Sequence, residues 1–407
     1  MVGGKAHRTV ETDRTEKKQN RKMPVWALVT IDLLAVLVVI GGWFGARIIG
    51  DMLAEEEYIV VSEARDDLLQ EQGLSVSTPE PSRPEPTAEA EVVEEEPEPD
   101  LRTPWQIRFE DHFTPEVVTT ENSYSSPNIS VTVSHHEVGE GDEKITYHLA
   151  DIYIGNVECF RSGLAKTPPK FRMSASLLKM MEDNNAVVAV NGDFVGYSYG
   201  GIAVRDGVVW SSRSSGVDLC VLYRDGRMQT YSSGKFHMDK AIVDDVFQVW
   251  SFGPALLNED GTPRDIPWSA IPNVHISGRN PRTAIGYYEP GHYCFMVVDG
   301  RQKGYSRGAT LAEMSQWFSE MGCMAAFNLD GGGSSLMGFQ GELISKFYSE
   351  YPRNLSDCIY ITDYALPTAE EAAGEDAVEA EDIEEAQIPE GAADETAPEQ
   401  EVTDETP

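Results

Sequence analysis

Basic residues are scarce in this 407-residue chain: 32 Lys and Arg stand against 68 Asp and Glu, a formal net charge of −36. A nucleic-acid surface needs a basic footprint. The chain has one only in residues 1–23, where seven Lys/Arg face three acids, so nucleic acid is excluded as a partner. Cysteine is sparse too. Cys159, Cys220, Cys294, Cys323 and Cys358 stand singly with no CxxC pair, which argues against a zinc ribbon or a dithiol redox motif. An odd count leaves at least one thiol without an intramolecular partner, and in an apolar run such as HYCFMVV a buried free Cys is expected. No His/Asp cluster at ligand spacing specifies a metal. His135 and His136 are adjacent, fall on opposite faces of one strand and read as ordinary strand histidines. The glycine run at 331–333 has no Lys at Walker spacing behind it, which disfavours nucleotide binding.

The acidity lies mainly in the flanks. Residues 51–100 carry 17 acids against two Arg, residues 367–407 carry 16 acids and no base, and residues 101–366 are left with only −9. The one long apolar run, Val25 to Ala46, has the roughly 20 residues that a bilayer crossing needs. With the basic segment before it, it reads as a signal-anchor helix at 24–50. Residues 1–23 are then a cytoplasmic tail, and everything after 50 lies outside a cell membrane crossed once. A cleaved signal peptide is the competing reading, with Gly45 and Ala46 as small residues near the cleavage point, but the apolar run exceeds the usual signal core. Residues 51–70 have helical spacing. The segment 51–103, rich in Pro and Glu beyond that, is expected to be an acidic, disordered stalk, and 367–407 a disordered acidic tail.

Between stalk and tail, residues 104–366 form one domain. Alternating runs at 129–138 and 144–155 predict strands. SASLLKMMEDN (174–184) predicts a helix, followed by a buried strand, AVVAV, at 186–190. The RDG triplets at 205–207 and 224–226 mark turns of a meander. A second helix fits 310–322, with Thr310 as N-cap, Glu313 three residues on and Gly322 closing it. The fold class is α+β: a single mixed, strand-rich catalytic domain with a few helices, preceded by one transmembrane helix and a disordered stalk.

Two stretches look alike. VVAVNGDF and AAFNLDGGGSS each run a buried strand into Asn and then Asp beside glycine, delivering Asn191 with Asp193 and Asn328 with Asp330 to a loop. Strand ends are where a rigid scaffold presents polar groups to a cleft. An Asx-turn that merely caps its own loop is the bland alternative. Consecutive amides over Gly331, Gly332, Gly333, Ser334 and Ser335 suggest an anion cradle. Arg282 before one strand and Arg353 before the last are candidates to clamp a phosphate through a planar fork. Asp299, in VVDGR, is a reserve carboxylate or a structural turn. The loop 194–201 offers Phe194, Tyr197 and Tyr199 for stacking on sugar rings.

NGDF, FGPALLNEDG, PRTAIG, VVDGRQKGYSRGATLAEM and NLDGGGSSLM, in this order, resemble the phosphodiester glycosidase family, the N-acetylglucosamine-1-phosphodiester alpha-N-acetylglucosaminidase-like domains. The likeness covers roughly 120–365. Val195 departs from it, standing where a second aromatic is common. The resemblance implies hydrolysis of a sugar-1-phosphodiester of an exopolysaccharide or other cell-envelope glycan, with the phosphate left on its carrier. Asp330 and Asp193 would then form the catalytic carboxylate pair, as base or nucleophile and as acid. No cofactor is required, and a divalent metal held by Asp193 or Asp330 stays open. A silent glycan-binding or scaffolding module is the alternative from another class.

Overall fold

β-Branched and aromatic residues in short runs, separated by glycine turns, fold here into three antiparallel sheets. The computed structural model describes residues 59–71, 102–166, 173–195, 201–214, 216–232, 234–266 and 278–366. A seven-stranded sheet runs, edge to edge, through 325–328, 282–289, 292–298, 145–154, 129–138, 123–125 and 118–119. A five-stranded sheet runs through 342–343, 337–339, 186–191, 357–362 and 160–164. A six-stranded sheet runs through 59–60, 208–211, 203–205, 246–252, 218–223 and 228–231. The strand-rich α+β expectation matches this arrangement.

One core joins the three sheets. Ile152, Ile154 and Phe295 from the first meet Val188, Val190 and Ile359 from the second and Phe247 and Trp250 from the third, all buried. The opposite faces are covered by helices. Leu311–Glu320 lays Leu311, Met314 and Phe318 on Met296 and Val298. Leu177–Asp183 lays Met180 and Met181 on Ala189 and Cys358. The 311–320 helix starts as its sequence says, with a capping box between Thr310 and Glu313 that satisfies two otherwise orphaned amides.

The stalk expectation needs correction at its start. Ile59–Val60 pairs with Val208–Val209 at the edge of the six-stranded sheet, and Val61–Glu71 is a helix. Its Val61, Ala64 and Leu68 pack with Val204, Val221 and Ile242. An apolar stripe among acids is enough to dock a helix when a sheet face stands uncovered. The expected cytoplasmic tail, the signal-anchor helix at 24–50, the remainder of the stalk up to 101 and the acidic tail lie outside the described residues. No helix among the described residues is long and apolar enough to cross a membrane.

The two sheet ends that matter face each other. The strand Ala186–Asn191 ends where Ala325–Asn328 ends, and Arg282 opens the strand beside the latter. A crossing hydrogen bond, from Asp330 N to Gly192 O at 3.3 Å, ties the two loops.

Candidate active site

Asn191 is the staple of this junction. Its Nδ2 donates to Asp330 O at 2.7 Å and to Gly192 O at 3.3 Å, and its Oδ1 accepts from the Thr283 hydroxyl at 2.6 Å and from Leu336 N at 3.3 Å. An amide side chain has two donors and two acceptor sites, and all four are used. Asn191 therefore positions the Asp330 backbone and has no bond to spare for substrate.

Asp330 opens onto a small cleft that it lines with Gly192, Phe194, Ser334, Asn354 and Asp357. Its Oδ1 accepts from Gly331 N at 2.8 Å, so it does cap its own loop. Burial raises its pKa, which bonds from Ser334 and Gly331 and the charge of Arg353 oppose and the charge of Asp193 reinforces. A carboxylate whose proton affinity is raised towards neutral, facing a cleft, is suited to base chemistry.

Asp193 lies beside this cleft but its carboxylate is committed. Only 3% exposed, it accepts from Arg205 Nη2 at 2.6 Å and from Ser251 N at 2.6 Å. Asp357, 2% exposed, is its neighbour: Oδ2 accepts from Asp193 N at 3.0 Å and Oδ1 from Phe194 N at 3.1 Å and from the Ser356 hydroxyl at 2.8 Å. Arg205 Nη2 is 3.6 Å from Asp357 Oδ2, so one guanidinium serves two carboxylates. Burial, then the charge of Asp193, pushes the Asp357 carboxyl well above the ordinary range. Arg205 also donates to the carbonyls of Val204 and Val249, which fixes it in the sheet. The assignment of Asp193 as a reacting carboxylate is thereby corrected: with its oxygens held by Arg205 and Ser251, it shapes the loop that carries Phe194.

Gly192 allows this packing. A Cβ there would stand 1.9 Å from Asp357 Oδ2, whose carboxylate is pinned by Asp193 N, Phe194 N and Ser356. Gly192→Ala is expected to lose about 1–3 kcal/mol of stability by overpacking, read as a lowered midpoint in urea unfolding.

The glycine loop corrects the cradle expectation. Four of its five amides are spent inside the protein: Gly331 on Asp330 Oδ1, Gly332 on Pro281 O, Ser334 on Gly331 O and Ser335 on Gly332 O. The glycines instead admit guanidinium groups. A Cβ on Gly333 would meet Arg353 Cζ at 3.1 Å, and one on Gly332 would meet Arg301 Nη1 at 3.5 Å. Arg353 Nη1 donates to Ser334 Oγ at 3.3 Å, while Arg301 is held by Asn280 Oδ1 at 2.8 Å and by the Tyr348 hydroxyl at 2.7 Å. Arg301 has φ +57° and Phe194 φ +67°. Non-glycine residues rarely occupy that region unless their surroundings force it, and such positions cluster at functional sites.

Arg282 is placed differently from expectation. It is 4% exposed and donates to Ala309 O at 3.2 Å and Gly278 O at 2.9 Å. Burial, then Arg301, brings its pKa down to about 10. It braces the backbone next to Pro281, leaving Arg301 and Arg353 as the exposed pair at the loop. Asp299 is a structural centre: 2% exposed, it accepts from Tyr305 OH at 2.8 Å and Lys346 N at 3.0 Å, with His148 Nε2 at 3.3 Å. Asn328 donates to Gly253 O at 2.8 Å and belongs to the strand end, away from the cleft lining. Tyr197 and Tyr199 lie outside the described residues. Among those residues no group of three or more His, Cys, Asp or Glu is arranged to hold a metal.

Residues 184–362, which contain both Asp-bearing loops and all of this cleft, match the family model described as phosphodiester glycosidase. That match agrees with the family likeness carried by the sequence motifs. Over 195 residues the chain is 29% identical to the SPbeta prophage-derived uncharacterized protein YomE of Bacillus subtilis (strain 168), covering 46% of this chain and 29% of YomE. The chain thus spans less than a third of that relative's length. Among solved structures, the catalytic domain of zebrafish N-acetylglucosamine-1-phosphodiester alpha-N-acetylglucosaminidase, auto-inhibited by its pro-peptide, aligns with TM-score 0.48 at 18% identity, over 61% of this chain and 88% of that one. A hypothetical protein from Synechocystis aligns with TM-score 0.39 at 14% identity, over 61% and 64% of the two chains.

Two residues of this domain escaped the sequence reading: Arg205 and Asp357. Arg205 was hidden in a turn triplet, RDG, where Arg is ordinarily a surface residue. Asp357 had a usable signal, a carboxylate abutting the buried strand CIYIT, of the same kind that exposed Asp193 and Asp330.

Proposed function

We propose that the domain hydrolyses the glycosidic bond of sugar-1-phosphodiesters. The observation that carries this reading is the juxtaposition of the Asp330 carboxylate with Arg353, an exposed guanidinium laid on the glycine loop through Ser334. A phosphodiester seated against Arg353 and Arg301 would bring its anomeric carbon towards Asp330. Asp330 takes the proton of a water attacking that carbon, or attacks it directly and is then released by water. The bond between the anomeric carbon and the phosphate oxygen breaks, and its electron pair leaves on the phosphate. The products are a reducing sugar and a phosphomonoester on the carrier. Phosphate is a good leaving group, so stabilising its growing charge by fixed donors does more than protonating it.

The test uses the full-length protein in detergent with UDP-GlcNAc and a GlcNAc-1-phosphodiester, following free sugar and its anomer by proton NMR. Release of sugar with phosphate left on the carrier is expected. Intact diester across a panel of sugars would sink the reading, and the anomer of the first product separates base from nucleophile. Arg353→Gln is expected to lower kcat/KM about 10²- to 10³-fold, the usual cost of losing one donor to developing charge, with Arg353→Lys intermediate because a point charge replaces a fork.

The same reading has the domain tethered to the membrane through residues 24–50 and acting on exopolysaccharide or cell-envelope glycan outside the cell. It requires no cofactor.

A further inference from the structure

Residues 101–366 carry a net charge of −9, yet cations gather on one side of the glycine loop. Arg353, Arg301, Lys303 and Lys346 are exposed; Arg353 acts on the Asp330 carboxyl through its charge, and the other three are held by Asn280, Tyr348 and Tyr305 or stand in the turn, with no carboxylate ion pair among the described residues. They are linked by contact. Arg353 and Arg301 flank Gly333 and Gly332. Arg301 lies over the Tyr348 ring at 5.0 Å, and Lys346 Nζ over the Tyr305 ring at 4.3 Å. Gln302 Nε2 donates to Lys346 O at 2.8 Å, joining the turn that carries Lys303 to the segment after strand 342–343 that carries Lys346. Beyond them, Arg301, Lys303 and Arg307 line a shallow basin with Lys144 and Asp142. There the charges are compensated, Lys144 by Glu137 and Arg307 by Glu143 and Glu313.

This strip is built from beneath. Asp299 holds the Tyr305 hydroxyl with one oxygen and the Lys346 amide with the other. The turn is closed by bonds between Gln302 and Ser306 at 3.0 and 2.9 Å. A buried carboxylate that orders a tyrosine and a lysine at the surface fixes where the charges stand.

We propose that the strip binds the phosphate groups next to the scissile one, so that the substrate is a polyanion of repeating sugar phosphodiesters and not an isolated diester. This rests on the hydrolase reading for the reaction, but the binding surface can be tested apart from it. A polyanion laid on several exposed cations releases counterions, which makes its affinity fall steeply with salt. A single phosphate seated on Arg353 and Arg301 leaves Lys303 and Lys346 to its neighbours along the chain.

The experiment compares the full-length protein with its Lys303→Gln/Lys346→Gln variant. Labelled medium-chain inorganic polyphosphate is titrated at several salt concentrations, with dextran as the uncharged control. The expected result is binding by the wild type, weakened about ten-fold in the variant near 0.1 M salt, with the slope of log K against log salt reduced by roughly 1–2, the yield of two phosphate contacts. In parallel, kcat/KM on an oligomer of sugar-1-phosphate repeats should fall about ten-fold in the variant while that on the methyl diester of GlcNAc-1-phosphate, which has a single phosphate, is unchanged. Equal polyphosphate binding and slope in both proteins, or no binding by either, would overturn the proposal. So would an equal loss on the oligomer and on the methyl diester. Absence of all hydrolysis would sink the catalytic reading alone, because the polyphosphate titration decides the strip without turnover.

Discussion

Asp330→Asn is expected to lower kcat about 10²- to 10⁴-fold, the span for loss of a positioned base, while the unfolding midpoint stays near that of the wild type. The substitution is clean because an asparagine Oδ1 still accepts from Gly331 N, the 2.8 Å bond that shapes the loop. Only the negative charge and the basic lone pair are removed. The pH profile of kcat/KM should carry the same signature. A base must be ionised, so the rate falls as pH drops through the Asp330 pKa, and burial places that acidic limb above the ordinary carboxylate range. An acidic limb at an ordinary carboxylate pKa, or full turnover in the Asn variant, would remove Asp330 from the chemistry.

Arg205→Met should be the most damaging change to stability, at about 3–5 kcal/mol. It leaves Asp193 and Asp357, each 2–3% exposed, facing one another without the cation between them. The loss should shrink on acidification. In the wild type, Asp357 has a folded-state pKa raised above its unfolded value of about 3.9. The native state then holds a proton that the unfolded chain has released, so this group's contribution is favourable at low pH and lost as pH rises through the folded pKa. Removing Arg205 takes away a charge that opposed that rise, so the variant gains more than the wild type from each step down in pH. Urea unfolding at pH 5 and pH 7 measures this. A gap between the two proteins that is constant with pH would mean that packing, not charge, is what Arg205 supplies.

Local rules carried much of the fold into view. The Thr310–Glu313 capping box, the buried strand at 186 and the RDG turn, where Asp206 and Gly207 take φ +52° and +78°, are written within a few residues each. The site was legible only as far as its strand ends. That Asp193 is held shut depends on Arg205 and Ser251, 12 and 58 residues away. That the Gly332 amide is unavailable depends on the carbonyl of Pro281, from the neighbouring strand's approach. Glycine in sequence says that something comes close to the backbone, without saying what. In this loop it is guanidinium.

The docking of Ile59–Glu71 changes where load would enter the domain. The stretch rich in Pro and Glu between 72 and 101 leaves from this helix and returns at Thr103, whose side chain caps the next helix. Both its ends are therefore fastened to folded structure. Tension applied from the N-terminal side reaches the sheet edge first, at the two-residue pairing of Ile59–Val60 with Val208–Val209 and the Arg65–Asp245 ion pair of 2.9 Å. Those contacts would be the first to give way under such a load.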